Sequence, residues 1–506
     1  MKRLITATLS LTLLLTALTG CGGGSDPTPS ADPNATTGDN AITVILQTVG
    51  NNMDPSFANA ITTTTIVDHI YDNLLVCDEN FSLQPAVIAS WEQPDELTYK
   101  LTMGEGFVFH NGEPLEIDDV VYSLTRLENV PQAADLYARI ANISAEGNVV
   151  TVVLKEANSG FLRELTEIPV LNKSYCDEVG EAYANAPVGT GPYTMKEFVP
   201  GERAVLSAWA DYPGGKPAID TITFKAIEEA SAAYIALESD DADFTDVDAP
   251  DYARAEANDK VTFVQVDSAY TAFVSMNTQQ APFDNANVRK AMAYAFNTEG
   301  YLSVKGDNYT VIDSMFPMMS EYHYTTPNTI TYDLAKAKEL LEAEGYNESN
   351  PLTFVISGYD NNDVVMQAYQ ADLKSIGVKV ELVTQEFGVF LDNMASMNFQ
   401  MLTGGWGDTT GNPLTAAECY WSESFGAQNI SFFENAECDE LYNTAKTTAD
   451  PAEMMAACQR IQEIAWEEVP MFPTFGRTDG YAYNKDLSGV VIYPSGLVSF
   501  REAKLG

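Results

Sequence analysis

At 506 residues, with 72 acidic against 27 basic side chains, the chain carries a formal net charge of −45. A field of that sign repels nucleic acid and anionic lipid, which argues against both as partners and favours neutral or cationic small ones. Hydrophobic residues make up 45% of the chain, an ordinary share for a globular protein, and the length suffices for two or more cores.

The opening MKRLITATLSLTLLLTALTGC has Lys2 and Arg3 followed by an apolar run from Leu4 to Leu18, too short to span a membrane comfortably and flanked like a secretory signal. Its small residues before Cys21 resemble the lipobox of bacterial lipoproteins. That resemblance implies a signal peptide over 1–20 and lipidation of Cys21. Residues 22–40, GGGSDPTPSADPNATTGDN, have tether composition. No other long apolar run follows, so membrane contact is expected through the lipid anchor only.

AITVILQ (41–47) reads as an opening strand, and TIVDHIYDNLLV (65–76) as an amphipathic helix with Ile66, Ile70, Leu74 and Leu75 on one face. LTYKLTM (97–103) and VVTVVL (149–154) alternate as strands. DDVVYSLTRL (118–127) is a helix with acids in its first turn, where the helix dipole favours them. Further on, Asp333 is a plausible N-cap for a helix carrying Leu334, Ala337, Leu340 and Leu341, which Gly345 terminates. LTFVISG (352–358), a helix over 363–376, Gly377 and VKVELV (378–383) form a βαβ unit, hence a parallel strand pair.

The chemistry of common enzymes has no foothold. His69, His110 and His323 are the only histidines, none within a metal-binding spacing, and neither a nucleophile elbow nor a phosphate loop occurs. The acidic stretch 238–251 lacks the glycine and distal glutamate of a calcium loop. Met315, Met318 and Met319 suit a core or cleft lining better than a metal. No cofactor is expected. Cys77, Cys176, Cys419, Cys438 and Cys458 are sparse, and a Cys419–Cys438 bridge is one pairing open to an exported protein.

SWEQPDELTYKLTMGEGFVFHNGEPLEIDDVVYSL (90–124) resembles the signature region of extracellular solute-binding protein family 5, through Trp91, Asp95, Thr98, Tyr99, Phe109, His110, Asn111, Gly112, Asp118 and Asp119. VGTGPY (188–193), FVSMNTQQAPFDNANVRKAMAYAFN (273–297), DLAKAKELLEAEGY, DLKSIGVKVELV and EVPMFPTF (468–475) continue the likeness in order. The resemblance implies an α/β, two-lobed fold like that of periplasmic binding proteins, with mixed sheets and a hinge cleft. Lobe one would comprise 41–269 and 484–506 with an inserted subdomain near 60–185, and lobe two 270–483. Crossing segments would lie near Ser268–Ala272 and Tyr481–Tyr483. The implied function is that of a monomeric, extracytoplasmic, lipid-anchored receptor, not an enzyme, delivering a peptide or other small solute to the permease subunits of an ABC importer. A signalling receptor of the same fold is the alternative, and an extracellular hydrolase the third reading.

The stretch GGWGDTTGNP (404–413) is where a ligand would be read. Glycine allows close backbone approach, and Asn-Pro turns the chain. In peptide-binding relatives this loop resembles Trp, two spacers, Asp, two spacers and an acid or Asn before Pro, the aspartate pairing with the peptide ammonium. Here Trp406 and Pro413 keep that register, but Asp408 stands one place early and Thr409 takes the aspartate position. Trp406 is then a cleft wall or a core plug, Asp408 or Thr409 the polar contact, and Asp408 alternatively a cap for neighbouring N–H groups. Asn412 and Tyr359 are further ligand-binding candidates. Dipeptide receptors carry an arginine after the strand at 352–358. SGYDNNDVV has Asp360 and Asp363 instead, which leaves longer peptides and cationic or hydroxyl-rich solutes open. Trp466 is at core spacing with Ile461, and Trp421 fits either role.

Overall fold

The computed structural model describes residues 40–506 apart from 59, 131–132 and 360–363. Cys21, tether residues 22–39, Asp360 and Asp363 therefore lie outside the described residues. Two larger sheets organise the rest. Their strands, in chain order, are β1 Ala41–Leu46, β2 Ile88–Asp95, β3 Thr98–Met103, β4 Ile140–Glu146, β5 Val149–Leu154, β6 Tyr193–Val199, β7 Arg203–Ala208, β8 Thr221–Ala226, β9 Phe244–Val247, β10 Val261–Met276, β11 Tyr309–Val311, β12 Thr353–Gly358, β13 Lys379–Thr384, β14 Met401–Gly407 and β15 Met471–Asn484.

Eleven of them form one mixed sheet in the order β13-β12-β14-β10-β15-β9-β1-β8-β7-β6, with β11 attached to β15. β12 runs parallel to both β13 and β14, and β1 parallel to β8 and β9, whereas β10 is antiparallel to β14 and β15. Two long strands join the groups. β10 pairs with β15 from Val261 to Asp267, loses register, and resumes from Thr271 beside β14. The matching point on β15 lies at Gly476–Thr478, and Tyr481–Tyr483 is paired on both sides with β9 and β10. A register break in two otherwise continuous strands is where backbone angles can change without unpacking either core.

The sheet β2-β3-β5-β4 is separate and has its own core, in which Tyr99, Leu101, Phe109, Val150, Val152 and Phe161 are fully buried. A second core surrounds β1 and β8, and two more flank β12, β14 and the helix Pro451–Glu468. Alternation explains the strands: Val150, Val152 and Leu154 point inward while Val149, Thr151 and Val153 are half-buried. The βαβ unit stands as read, with the helix Val364–Ser375 between β12 and β13 and Gly377 at φ +87° after it. Trp466 is a core residue, its indole N–H donating to the Asp313 carbonyl at 2.8 Å.

Three sequence readings need correction. The helix expected over 65–76 is Ile61–Asp68, and Leu75–Cys77 is a short strand. The reason is His69, whose Nδ1 bonds the Thr65 carbonyl at 2.7 Å while its Nε2 accepts from Phe500 N–H at 2.9 Å, which ends the helix at a tertiary contact. The stretch 404–413 is not all loop, because β14 continues through Gly407 and a helix, Pro413–Glu418, begins immediately after Asn412. All five described cysteines are free thiols, so the Cys419–Cys438 bridge is not made.

Candidate functional site

β12, β13 and β14 are parallel neighbours, so their carboxyl ends share one edge of the sheet. Ligands of open α/β sheets bind outside such carboxyl ends, where the loops diverge. Tyr359 follows β12, Gln385 follows β13, and Asp408 follows β14. Glycine is required along β14 by its neighbours on β10. A Cβ at Gly405 would lie 1.9 Å from the Tyr270 hydroxyl, and one at Gly404 would lie 2.9 Å from the Phe273 ring. Those aromatics replace the missing side chains, which is how so glycine-rich a stretch holds an interior strand.

Asp408 is only 6% exposed. Its Oδ1 accepts from Thr410 N–H (2.9 Å), Gly411 N–H (2.9 Å) and the Thr410 hydroxyl (3.1 Å), so this oxygen closes the turn. Its Oδ2 is buried and has no hydrogen-bond partner. Burial pushes the carboxyl pKa up, while those hydrogen bonds and the Arg163 charge oppose the shift. Among the described residues eight buried side-chain polar atoms lack a partner, and three of them, Gln385 Oε1, Trp406 Nε1 and Asp408 Oδ2, follow or end these parallel strands. Unpaired buried polar atoms are costly, so one donor and two acceptors left unmade along one sheet edge mark it as a candidate site.

The other candidates divide. Trp406 is half-buried and packs at the margin of the core that contains Phe273 and Leu402. Thr409 donates its hydroxyl to Glu167 Oε1 at 2.6 Å. Of the five candidates it alone lines a cavity of about 760 Å³ whose walls include Pro55, Ser56, Thr64, Thr166 and Glu167. Asn412 caps the helix Pro413–Glu418 by accepting from Leu414 N–H at 3.1 Å, and a Cβ at Gly160 would meet its amide at 2.4 Å. Tyr359 is 46% exposed and meets the rings of Phe387 and Phe390 edge-on at 5.5 and 5.6 Å. Trp421 stacks on Tyr442 at 4.5 Å beneath the Lys446 ammonium.

Sequence reasoning missed the residues that close over the loop from the first 170 residues of the chain. Arg163, 9% exposed, donates to the Thr410 carbonyl at 3.4 Å and to the Phe81 carbonyl. The Cys77 thiol also faces the Thr410 carbonyl, at 3.8 Å. Beside them Ser159 donates to the carbonyls of Lys446 (2.9 Å) and Ala445 (2.7 Å), at the end of the helix Ala436–Thr447 rather than on the loop. No local signal marks any of these, because each is defined by a partner more than 240 positions away.

No group of histidine, cysteine and carboxylate side chains among the described residues is arranged to hold a metal ion, and no helix of the described residues is long and apolar enough to cross a membrane.

Comparison with known proteins bears on this arrangement. The chain is 26% identical over 485 residues to the glutathione-binding protein GsiB of Escherichia coli K12, covering 91% of this chain and 94% of that one. The structure of HbpA2 from Haemophilus parasuis superposes with a TM-score of 0.87 at 22% identity, over 92% of this chain and all of that one. The oligopeptide-binding protein AppA of Bacillus subtilis, solved with a nonapeptide, gives a TM-score of 0.69 at 23% identity, over 92% and 99% of the two chains. These solved neighbours share the two-lobed periplasmic-binding-protein fold. Residues 82–428 match the model of the bacterial extracellular solute-binding proteins, family 5. The chain belongs to that family of solute-binding proteins.

Proposed function

We propose that this protein captures peptides, or a related small neutral or cationic solute, outside the cytoplasm and hands them to the permease subunits of an ABC importer. The single observation carrying the reading is Asp408. One oxygen of its buried carboxylate is fully used by the turn, and the other waits for a cation at the carboxyl edge of three parallel strands. A relative named for binding glutathione and a structural neighbour named an oligopeptide-binding protein support a peptidic solute. The cavity beside Thr409 is of a size for a short peptide.

In this reading residues 41–269 and 484–506 form lobe one, with the separate four-stranded sheet as its insertion, and 270–483 form lobe two. The register break between β10 and β15 is the hinge. Solute touching both lobes stabilises the closed form by its differential affinity, and the importer recognises that form. The protein acts by stoichiometric retention rather than turnover, as a monomer held at the outer face of the cell membrane through lipid on Cys21.

Native mass spectrometry of the protein as purified tests this. The expected result is a ladder of bound masses matching peptides. A single non-peptidic mass, or an unliganded protein that ignores a panel of tri- to pentapeptides, overturns the peptide assignment.

A further inference from the structure

We infer that Arg163 is a positioning residue for solute binding: it fixes the peptide group between Thr410 and Gly411, and through it the orientation of the Asp408 carboxylate. The inference rests on the solute reading above but concerns a different residue, one whose guanidinium bonds Phe81, Thr410 and Glu321.

A single peptide plane connects the two side chains. Its carbonyl, that of Thr410, accepts from the Arg163 guanidinium, and its N–H, that of Gly411, donates to Asp408 Oδ1 at 2.9 Å. A cation on the carbonyl side polarises that amide and strengthens the N–H as a donor. The same guanidinium holds the Phe81 carbonyl. Phe81 has φ +57°, a left-handed conformation uncommon outside glycine, and Gly411 has φ +63°. A Cβ on Gly411 would lie 2.5 Å from the Phe81 side chain, so the two left-handed residues are in direct apposition. One guanidinium nitrogen, Nη1, thus ties two backbones that neither sheet holds, and a lysine, whose ammonium ends one bond short of that nitrogen, does not reach both carbonyls.

Arg163 also reaches Glu321 at 3.0 Å and lies 5.7 Å from the centre of the Tyr322 ring. Glu321 is 51% exposed, so solvent screens that pair, and it is the dispensable part of the arrangement. The helix bearing Arg163 is a single turn, Phe161–Glu164, anchored through Gly160 against Asn412. The turn bearing Arg163 therefore packs against the loop at Asn412 while the guanidinium reaches it at Thr410.

The test uses the whole chain with Arg163→Met, Arg163→Lys and Glu321→Gln, read by amide hydrogen exchange over 408–414 and by titration with the tripeptide Ala-Ala-Ala. Both Arg163 variants are expected to raise exchange at Thr410 and Gly411 at least tenfold and to weaken tripeptide binding about tenfold, with thermal unfolding of the Lys variant within a few degrees of the parent. Glu321→Gln is expected to stay within twofold on both measures. Native exchange and affinity in Arg163→Lys overturn the inference, and so does a Glu321→Gln effect equal to that of Arg163→Met. A parent protein that ignores the tripeptide counts against the peptide reading alone, because the exchange measurement needs no solute.

Discussion

Asp72 and Asp408 are buried to almost the same degree, 8% and 6% exposed, and differ in how their oxygens are used. Asp72 Oδ1 accepts from Arg501 at 2.7 Å and its Oδ2 from the Thr190 hydroxyl at 2.9 Å. Arg501 in turn donates to the carbonyls of Asp68 and Tyr71. Beside them His69 joins the first helix to the C-terminal segment through Phe500. Asp408 completes its own turn with one oxygen and leaves the other unpaired. A carboxylate whose hydrogen bonds are all made holds the fold together. One left half-made costs stability and is retained where something else completes it.

The comparison can be broken at either end. The largest effect is expected from Arg501→Met, which leaves the buried Asp72 carboxylate without its counter-charge and should lower stability by about 3–5 kcal/mol. Denaturant unfolding measures this, and tripeptide affinity of the folded fraction should be unchanged. A next, smaller effect is pH. Burial lowers the His69 pKa to about 4 from an ordinary 6.5, so the native ring is neutral. Its contribution is present above pH 6.5 and is lost as pH falls towards 4, because the unfolded chain takes up the proton first. The loss reaches roughly 3 kcal/mol, and Asn at position 69 should flatten that slope.

Asp408→Asn reverses the pattern. It removes the waiting charge, so solute binding should weaken about thirtyfold or more, near 2 kcal/mol for a charge-assisted hydrogen bond, while the unfolding midpoint stays level or rises. A thirtyfold loss accompanied by an equal loss of stability would make Asp408 another Asp72, a residue of the fold alone.

Local pattern was enough wherever the stabilising contacts are local. The β12–helix–β13 unit was legible from the apolar spacing of Val365, Tyr369 and Leu373 and from Gly377. The helix Leu334–Ala343 was legible from its Asp333 cap. The helix ending at Asp68 was not, since the His69 ring that ends it is fixed by a residue 431 positions away. The glycine-rich end of β14, from Gly404, reads as loop because glycine has poor strand propensity, and nothing near it in sequence announces that Tyr270 and Phe273 fill the space. At the site, Trp406, Asp408 and Thr409 were visible as costly residues in a glycine-rich stretch. Gln385, Glu167 and Arg163 were not, because they acquire meaning only from the strand ends and loops they face.

By itself the sequence determined the acidic character of the protein, its mixed α/β elements and its family. Periodicity, caps and ordered motifs are all written within a few dozen residues of one another. The bonds to Asp408 Oδ1 are local and within reach of a sequence reading. Only the tertiary structure decided that Oδ2 is buried without a partner and that Arg163 reaches the loop from 247 positions away, through a backbone carbonyl that carries no side-chain signature.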